Sequence, residues 1–210
     1  LISLACHEAG HALVGGVIEG RDITCWTIEP VILTTHSAAG KVFRRDQFDG
    51  GVVMSKPKGL SHLAVDFAGA AGESLTNFFP DRVQTKADVR RVYGHGSDEI
   101  EAWNEVAGYA NHKKPPDAVI RACVETQYSR LFELLCDDQY DASLQLLARY
   151  MLQKRTEFGQ GILHTMRTYL RRKGISSQIM QTMREKLAAL QLPETARSVI
   201  LNASTPTTPT

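Results

Sequence analysis

The chain has 210 residues, 24 basic against 23 acidic, a formal net charge of +1 and four cysteines. That length buries a good core in one domain or two small ones, and the balanced charge gives no support for a nucleic-acid or anionic-membrane surface. No apolar run reaches the roughly 18 residues of a membrane span, no signal-peptide pattern opens the chain, and Cys6, Cys25, Cys123 and Cys136 form no C-x-x-C pair, so they read as free thiols of a reducing compartment.

Residues 1–15 read as a helix built on small and apolar side chains: Leu4, Ala5, Ala9, Gly10, Ala12, Leu13 and Val14. Set into it is His7-Glu8-Ala9-Gly10-His11, which fits H-E-x-x-H. Residues four apart on a helix share one face, so the two imidazoles are placed to grip one Zn²⁺. Glu8 projects beside them, where a carboxylate can act as base on a water. Three polar groups in such an apolar segment cost several kcal/mol unless they are paired or bound to metal. Cys6 points about 100° away from His7 and reads as a packing residue. Gly15 and Gly16 offer helix-ending conformations. The chain opens inside this helix, which reads as a fragment of a longer protein.

Arg21 to Glu29 reads as a strand, with Ile23, Cys25 and Thr27 on one face, Trp26 and Ile28 on the other, and Pro30 as its stop. Lys41 to Arg45 is expected to pair as a second strand. Residues 46–59, with Gly50-Gly51 and Pro57, read as an open loop able to hold or gate a substrate. Leu60 to Leu75 is a helix with an inner stripe of Leu63, Phe67, Ala70, Ala71 and Ser74. Its small residues from Ala68 to Gly72 predict tight helix–helix contact. Residues 77–85 follow as loop, then helices over Lys86 to Tyr93 and Ile100 to Asn111, with Gly94 and Gly96 between them.

Lys113-Lys114-Pro115-Pro116-Asp117 marks a boundary, its prolines opening the next helix. Helical spacing then runs to about Asp137 and again from Asp141 to Phe158, closed by Gly159 and Gly161. Two more helices are expected near Ile162–Arg172 and Ser176–Leu190. The Arg171-Arg172-Lys173 run reads as a solvated helix end that suits the helix dipole. His36, His112 and His164 read as exposed or capping residues. From Thr195 the chain turns to Ser, Thr and Pro and reads as a mobile tail.

Catalytic zinc usually takes three protein ligands and keeps a position open for water. The candidates for the third are Glu73, Asp88, Asp66, His62 and His95. Residue chemistry leaves Glu73, on a helix after the motif, and Asp88, at a helix start, evenly matched.

His7-Glu8-Ala9-Gly10-His11-Ala12-Leu13-Val14-Gly15 resembles the opening of the peptidase domain of the FtsH family, the membrane-anchored AAA+ zinc proteases. Phe67 to Leu75 resembles that family's glycine- and alanine-rich helix, Thr85-Lys86-Ala87-Asp88-Val89 its segment with an aspartate ligand, and Val119 to Ile162 its paired C-terminal helices. The resemblance spans about residues 1–165. It implies that His7, His11 and Asp88 bind Zn²⁺, that Glu8 is the general base, and that Glu73 is a supporting acid. The chain departs from the pattern at Ala70 (usually Arg), at Ser74 (usually acidic), and before Asp88, where Gly, Ser and Asn are missing.

The fold implied is mainly α (α+β): a zincin-like helical peptidase domain with a small β-sheet near the zinc helix and a C-terminal helical bundle. Residues 1–112 would form the zinc-binding part, 113–192 a helical part packed on it, and 193–210 the tail. The function implied is a zinc metalloendopeptidase acting on polypeptide substrates, a homo-oligomer such as a hexamer, within an ATP-dependent protease. No G-x-x-x-x-G-K-[ST] motif occurs, so an AAA+ ATPase module would lie on a missing N-terminal segment. The location implied is the cytoplasm, or the cytoplasmic face of a membrane if an anchor precedes residue 1. The alternative is a non-catalytic FtsH-like assembly module with a structural or empty metal site.

Overall fold

In the computed structural model, residues 2–29, 31–36, 42–48, 51–55, 62–75, 97–110 and 113–205 are described. The chain is mainly helical with a small three-stranded sheet. Helix α1 (Ile2–His11) runs without a break into a π-helical segment (Ala12–Ile18), all seven of whose residues are buried. Gly15 and Gly16 therefore widen the helix rather than end it. Their missing side chains admit the sheet: a Cβ on Gly15 would lie 2.8 Å from Met54 Sδ, and one on Gly16 2.6 Å from Ile23 Cδ1. The turn-off comes at Gly20, which takes a left-handed φ of 84° that suits glycine.

Strand β1 (Ile23–Thr27) lies in the middle of an antiparallel sheet, between β4 (Gly51–Met54) and β5 (Thr156–Phe158). Trp26 is opposite both Val52 and Glu157. A register shift between Ile23 and Cys25 breaks the simple alternation expected of this strand. Trp26 is buried; its indole N–H and the Tyr150 hydroxyl both donate to Oε2 of Glu157, at 3.2 and 2.7 Å. That shared acceptor ties the sheet to the C-terminal helices. β2 (Val31–His36) and β3 (Val42–Phe48) form a separate antiparallel hairpin. The expected loop over 46–59 is thus partly strand, from β3 through Phe48 and from β4.

Helix α2 (Leu63–Leu75) packs along α1 through glycines. A Cβ on Gly10 would collide with the carbonyl of Ala68, and one on Gly72 would sit 2.6 Å from the carbonyl of Cys6. This is the close contact that the small residues of α2 predict. Helix α3 (Ser97–Gly108) lies against α2. The helix expected over Lys86 to Tyr93 lies outside the described residues.

After Pro116 come α4 (Asp117–Leu135), α5 (Asp138–Lys154), α6 (Ile162–Arg172), α7 (Ser177–Ala189) and α8 (Leu192–Ser204). Asp137 caps α5 by accepting from Gln139 N, and Ser176 caps α7 by accepting from Ile179 N. Residues 156–158, expected as the end of a long helix, leave it at Arg155, whose φ of 67° breaks the helical path into β5. The expected mobile tail is corrected over most of its length. Leu192, Ala196 and Ile200 recur every four residues, are buried, and dock α8 on the core. One hydrophobic core runs from Ala5 to Ile200 and includes both sides of the Pro116 boundary. No helix among the described residues is long and apolar enough to cross a membrane.

Candidate metal centre

Three helices supply the centre. α1 carries His7 and His11 one turn apart, with ring centroids 4.8 Å from each other. α2 provides a floor without a side chain. A Cβ on Gly69 would press on Nε2 of His11 and lie 2.6 Å from Nε2 of His7. α3 brings Asp98 in its first turn.

The donor atoms form a small triangle. The two Nε2 atoms are 3.1 Å apart, and Oδ2 of Asp98 lies 3.0 Å from that of His7 and 3.2 Å from that of His11. A tetrahedral zinc ion holds N and O donors at about 2.0–2.1 Å, which sets neighbouring donors about 3.3 Å apart. The triangle therefore matches one face of such a tetrahedron in size, and two imidazoles with one carboxylate are an established donor set for zinc. No other group of three metal-binding side chains converges among the described residues.

The groups behind the donors set their chemistry. His11 Nδ1–H donates to the carbonyl of Val65 at 2.8 Å, which leaves Nε2 as the lone-pair nitrogen facing the triangle. Oε2 of Glu73 lies 3.7 Å from His7 Nδ1, and the other oxygen of Glu73 accepts from Ser3 Oγ. Glu73 thus stands behind His7. Burial works against a charge on His7, yet Asp98, Glu73 and Glu8 outweigh it and push the imidazole up to about 10. Burial would raise Asp98, but the two imidazoles hold it well below the usual carboxylate range. The acids around these rings call for positive charge at the triangle.

Glu8 is 5% exposed, and its Oε2 has no hydrogen-bond partner among the described residues. Burial pushes its carboxyl up, against the pull of both imidazoles and the backbone amide of Val52 in β4. A buried, unpaired carboxylate oxygen is costly. Beside the donor triangle it is placed where it can accept a proton from a water.

Of the residues singled out in the sequence, His7, Glu8 and His11 come together. Asp88 and His95 lie outside the described residues. Asp66 is buried but belongs to a neighbouring acidic group with Glu101 and Glu105. His62 faces Arg21, Nδ1 to Nη1 3.2 Å, and donates its backbone N–H to Glu105. Cys6 is buried in packing. The acid that meets both histidines, Asp98, is not among the candidates that the sequence suggests. A signal for it exists: Gly94, Gly96 and Ser97 stand directly before it, and Gly and Ser are residue types whose absence before Asp88 departs from the family pattern. An acid in the first turn of a helix reads first as a partner of the helix dipole, which masks that signal.

Compared with models of protein families, with curated proteins and with solved structures, the chain matches none.

Proposed function

We propose that the chain is a zinc-dependent peptidase of FtsH-like, zincin-like type, with His7, His11 and Asp98 as metal ligands and Glu8 as general base. One observation carries the reading: a donor triangle of zinc-site size beside a buried carboxylate oxygen with no hydrogen-bond partner among the described residues. A closed structural site would have four protein ligands and no use for that oxygen.

Zinc held by His7, His11 and Asp98 would supply Lewis acidity toward a water and a substrate carbonyl. Glu8 Oε2 takes a proton from the attacking water and returns it to the leaving amine nitrogen. Its burial favours the protonated form midway, and the neighbouring imidazoles favour the ionised form at the start. Val65 and Glu73 hold the two rings in orientation. β1 lies between two strands and offers no free edge for a substrate. Among the described residues the edge strand β4 does, and its Val52 amide already reaches Glu8. An extended polypeptide pairing there is held by its backbone, which suits broad specificity for unfolded chains. The resemblance to FtsH extends the proposal to a ring-forming peptidase fed by an AAA+ ATPase module.

The test is metal analysis of the purified chain together with casein hydrolysis. About one zinc per chain is expected, with activity lost to a chelator and restored by Zn²⁺. A chain that takes up no zinc would end this reading.

A further inference from the structure

A second polar cluster lies at the other end of the rod that begins with α1, and the peptidase reading makes no use of it. There a hollow of about 400 Å³ opens between the π-helical segment, α6 and α7. Arg167, Arg171, Arg184 and His164 line it, together with Ser177, the first residue of the thirteen-residue helix α7. No aspartate or glutamate is among its described lining residues.

The guanidinium groups are held in place rather than left to wander. Arg167 Nη2 donates to the carbonyls of Val17 and Gly16, at 2.7 and 3.4 Å. Arg184 Nε donates to the carbonyl of Ile18 at 2.6 Å. Arg171 is fastened along its own helix, to the Arg167 carbonyl and Thr168 Oγ1. A guanidinium carries five N–H donors, and these contacts use a minority of them. Nη2 of Arg167 and of Arg184 lie 3.5 and 3.7 Å from a single point, the place where Gly20 lacks a Cβ. Two like charges thus converge on one spot, with a third on the next turn of α6.

The acids nearby have other partners. Glu19 pairs with Arg21 at 2.7 Å, and Glu185 accepts from Gln181 at 2.9 Å. Burial and the charges of Arg184 and Arg171 already work against protonation of Arg167. Fixed, converging guanidinium groups around an open hollow with no carboxylate among its described lining residues are the donor pattern that recognises a phosphoryl group. The start of α7 adds the positive end of a helix dipole.

We propose that this hollow is a binding site for a phosphate-bearing small molecule, its phosphoryl group between Arg167, Arg184 and Arg171 and the rest of the ligand toward solvent. The site is independent of the peptidase reading, because its residues touch none of the metal donors.

Titration calorimetry of the metal-loaded chain with inorganic phosphate, at constant ionic strength against chloride, tests it. Saturable binding with a Kd of about 1 mM or tighter is expected. Arg171→Gln, whose contacts lie within its own helix, should weaken it at least about tenfold, and Arg171→Lys should recover part of the loss. Arg184→Gln should weaken it similarly. Absence of saturable binding overturns the site. So does binding that Arg171→Gln and Arg184→Gln leave unchanged, since phosphate would then be held elsewhere, the metal included. Zinc content and casein hydrolysis in the same variants report separately on the peptidase reading.

Discussion

One continuous helical rod, α1 with its π-helical extension, carries opposite electrostatics at its two ends. At the α1 end, Asp98, Glu73 and Glu8 gather around two imidazoles, and the group needs a cation. At the far end, Arg167 and Arg184 hold the last carbonyls of the π-helical segment with Arg171 on the next turn of α6, a gathering of positive charge that suits an anion. Asp98 and Glu73 meet side chains; Arg167 and Arg184 meet backbone carbonyls. Removing a side chain at the first end therefore changes chemistry, whereas the second end also fastens the rod. The rod between them is apolar packing, so each end can be tested without disturbing the other.

The largest effect is expected at Glu8. Glu8→Gln keeps the shape and the neighbours but cannot take a proton, so kcat for casein should fall by about 10²–10⁴-fold with zinc content unchanged. Retained turnover would remove Glu8 as the base. Asp98→Asn acts one step earlier, on the metal itself. A competition titration with a zinc chelator should show affinity reduced by more than about 100-fold, whereas Glu73→Gln, behind His7, should cost less, about 10- to 100-fold. If Glu73→Gln were the more damaging, the two acids would have to exchange roles.

Gly69→Ala tests the floor of the site. The new methyl would press on both Nε2 atoms, so rings or helices must shift by enough to open the triangle. We expect loss of stoichiometric zinc and destabilisation of about 1–3 kcal/mol by urea unfolding. Zinc bound normally by this variant would show that the rings have room to retreat. Phosphate binding at the arginine end should be untouched, which sharpens the contrast between the ends.

The features legible in the sequence are the local ones. His7, Glu8 and His11 lie within a single stretch of helix, and periodicity alone aligns them. The glycines of α2 announce close packing. Asp98 lies 91 residues from His7, and the Gly and Ser before it are a weak local signal that its place at a helix start masks. The π-helical segment is invisible to periodicity because seven uniformly apolar residues fit any helical period. α8 is hidden by its closing Ser204 and the Thr and Pro that follow it, although Leu192, Ala196 and Ile200 keep a regular spacing. Arg171 reads as part of a solvated helix end because the arginines beside it are anchored on carbonyls of the π-helical segment, which sequence spacing cannot reveal.

The smallest effect concerns the surplus of acid at the metal end. Asp66 is 6% exposed, and one of its carboxylate oxygens has no hydrogen-bond partner among the described residues. Burial, then the charges of Glu105, Glu101 and Asp98, push its carboxyl up to about 8, with Arg21 pulling the other way. The folded chain therefore keeps a proton that the unfolded chain releases near pH 4. Stability linked to this group is fully present below about pH 4 and declines as pH rises toward about 8, where the folded form releases the proton too. Asp66→Asn carries no titrating group and should flatten that part of the slope. Between about pH 5 and pH 9, the unfolding free energy of the variant in urea should change by at least about 1 kcal/mol less than that of the parent, because each tenfold difference in proton affinity between the folded and unfolded chains is worth about 1.4 kcal/mol. Equal slopes in the two proteins would mean that Asp66 is ionised in the fold, and the acid end of the rod would then carry one more negative charge for a cation to offset.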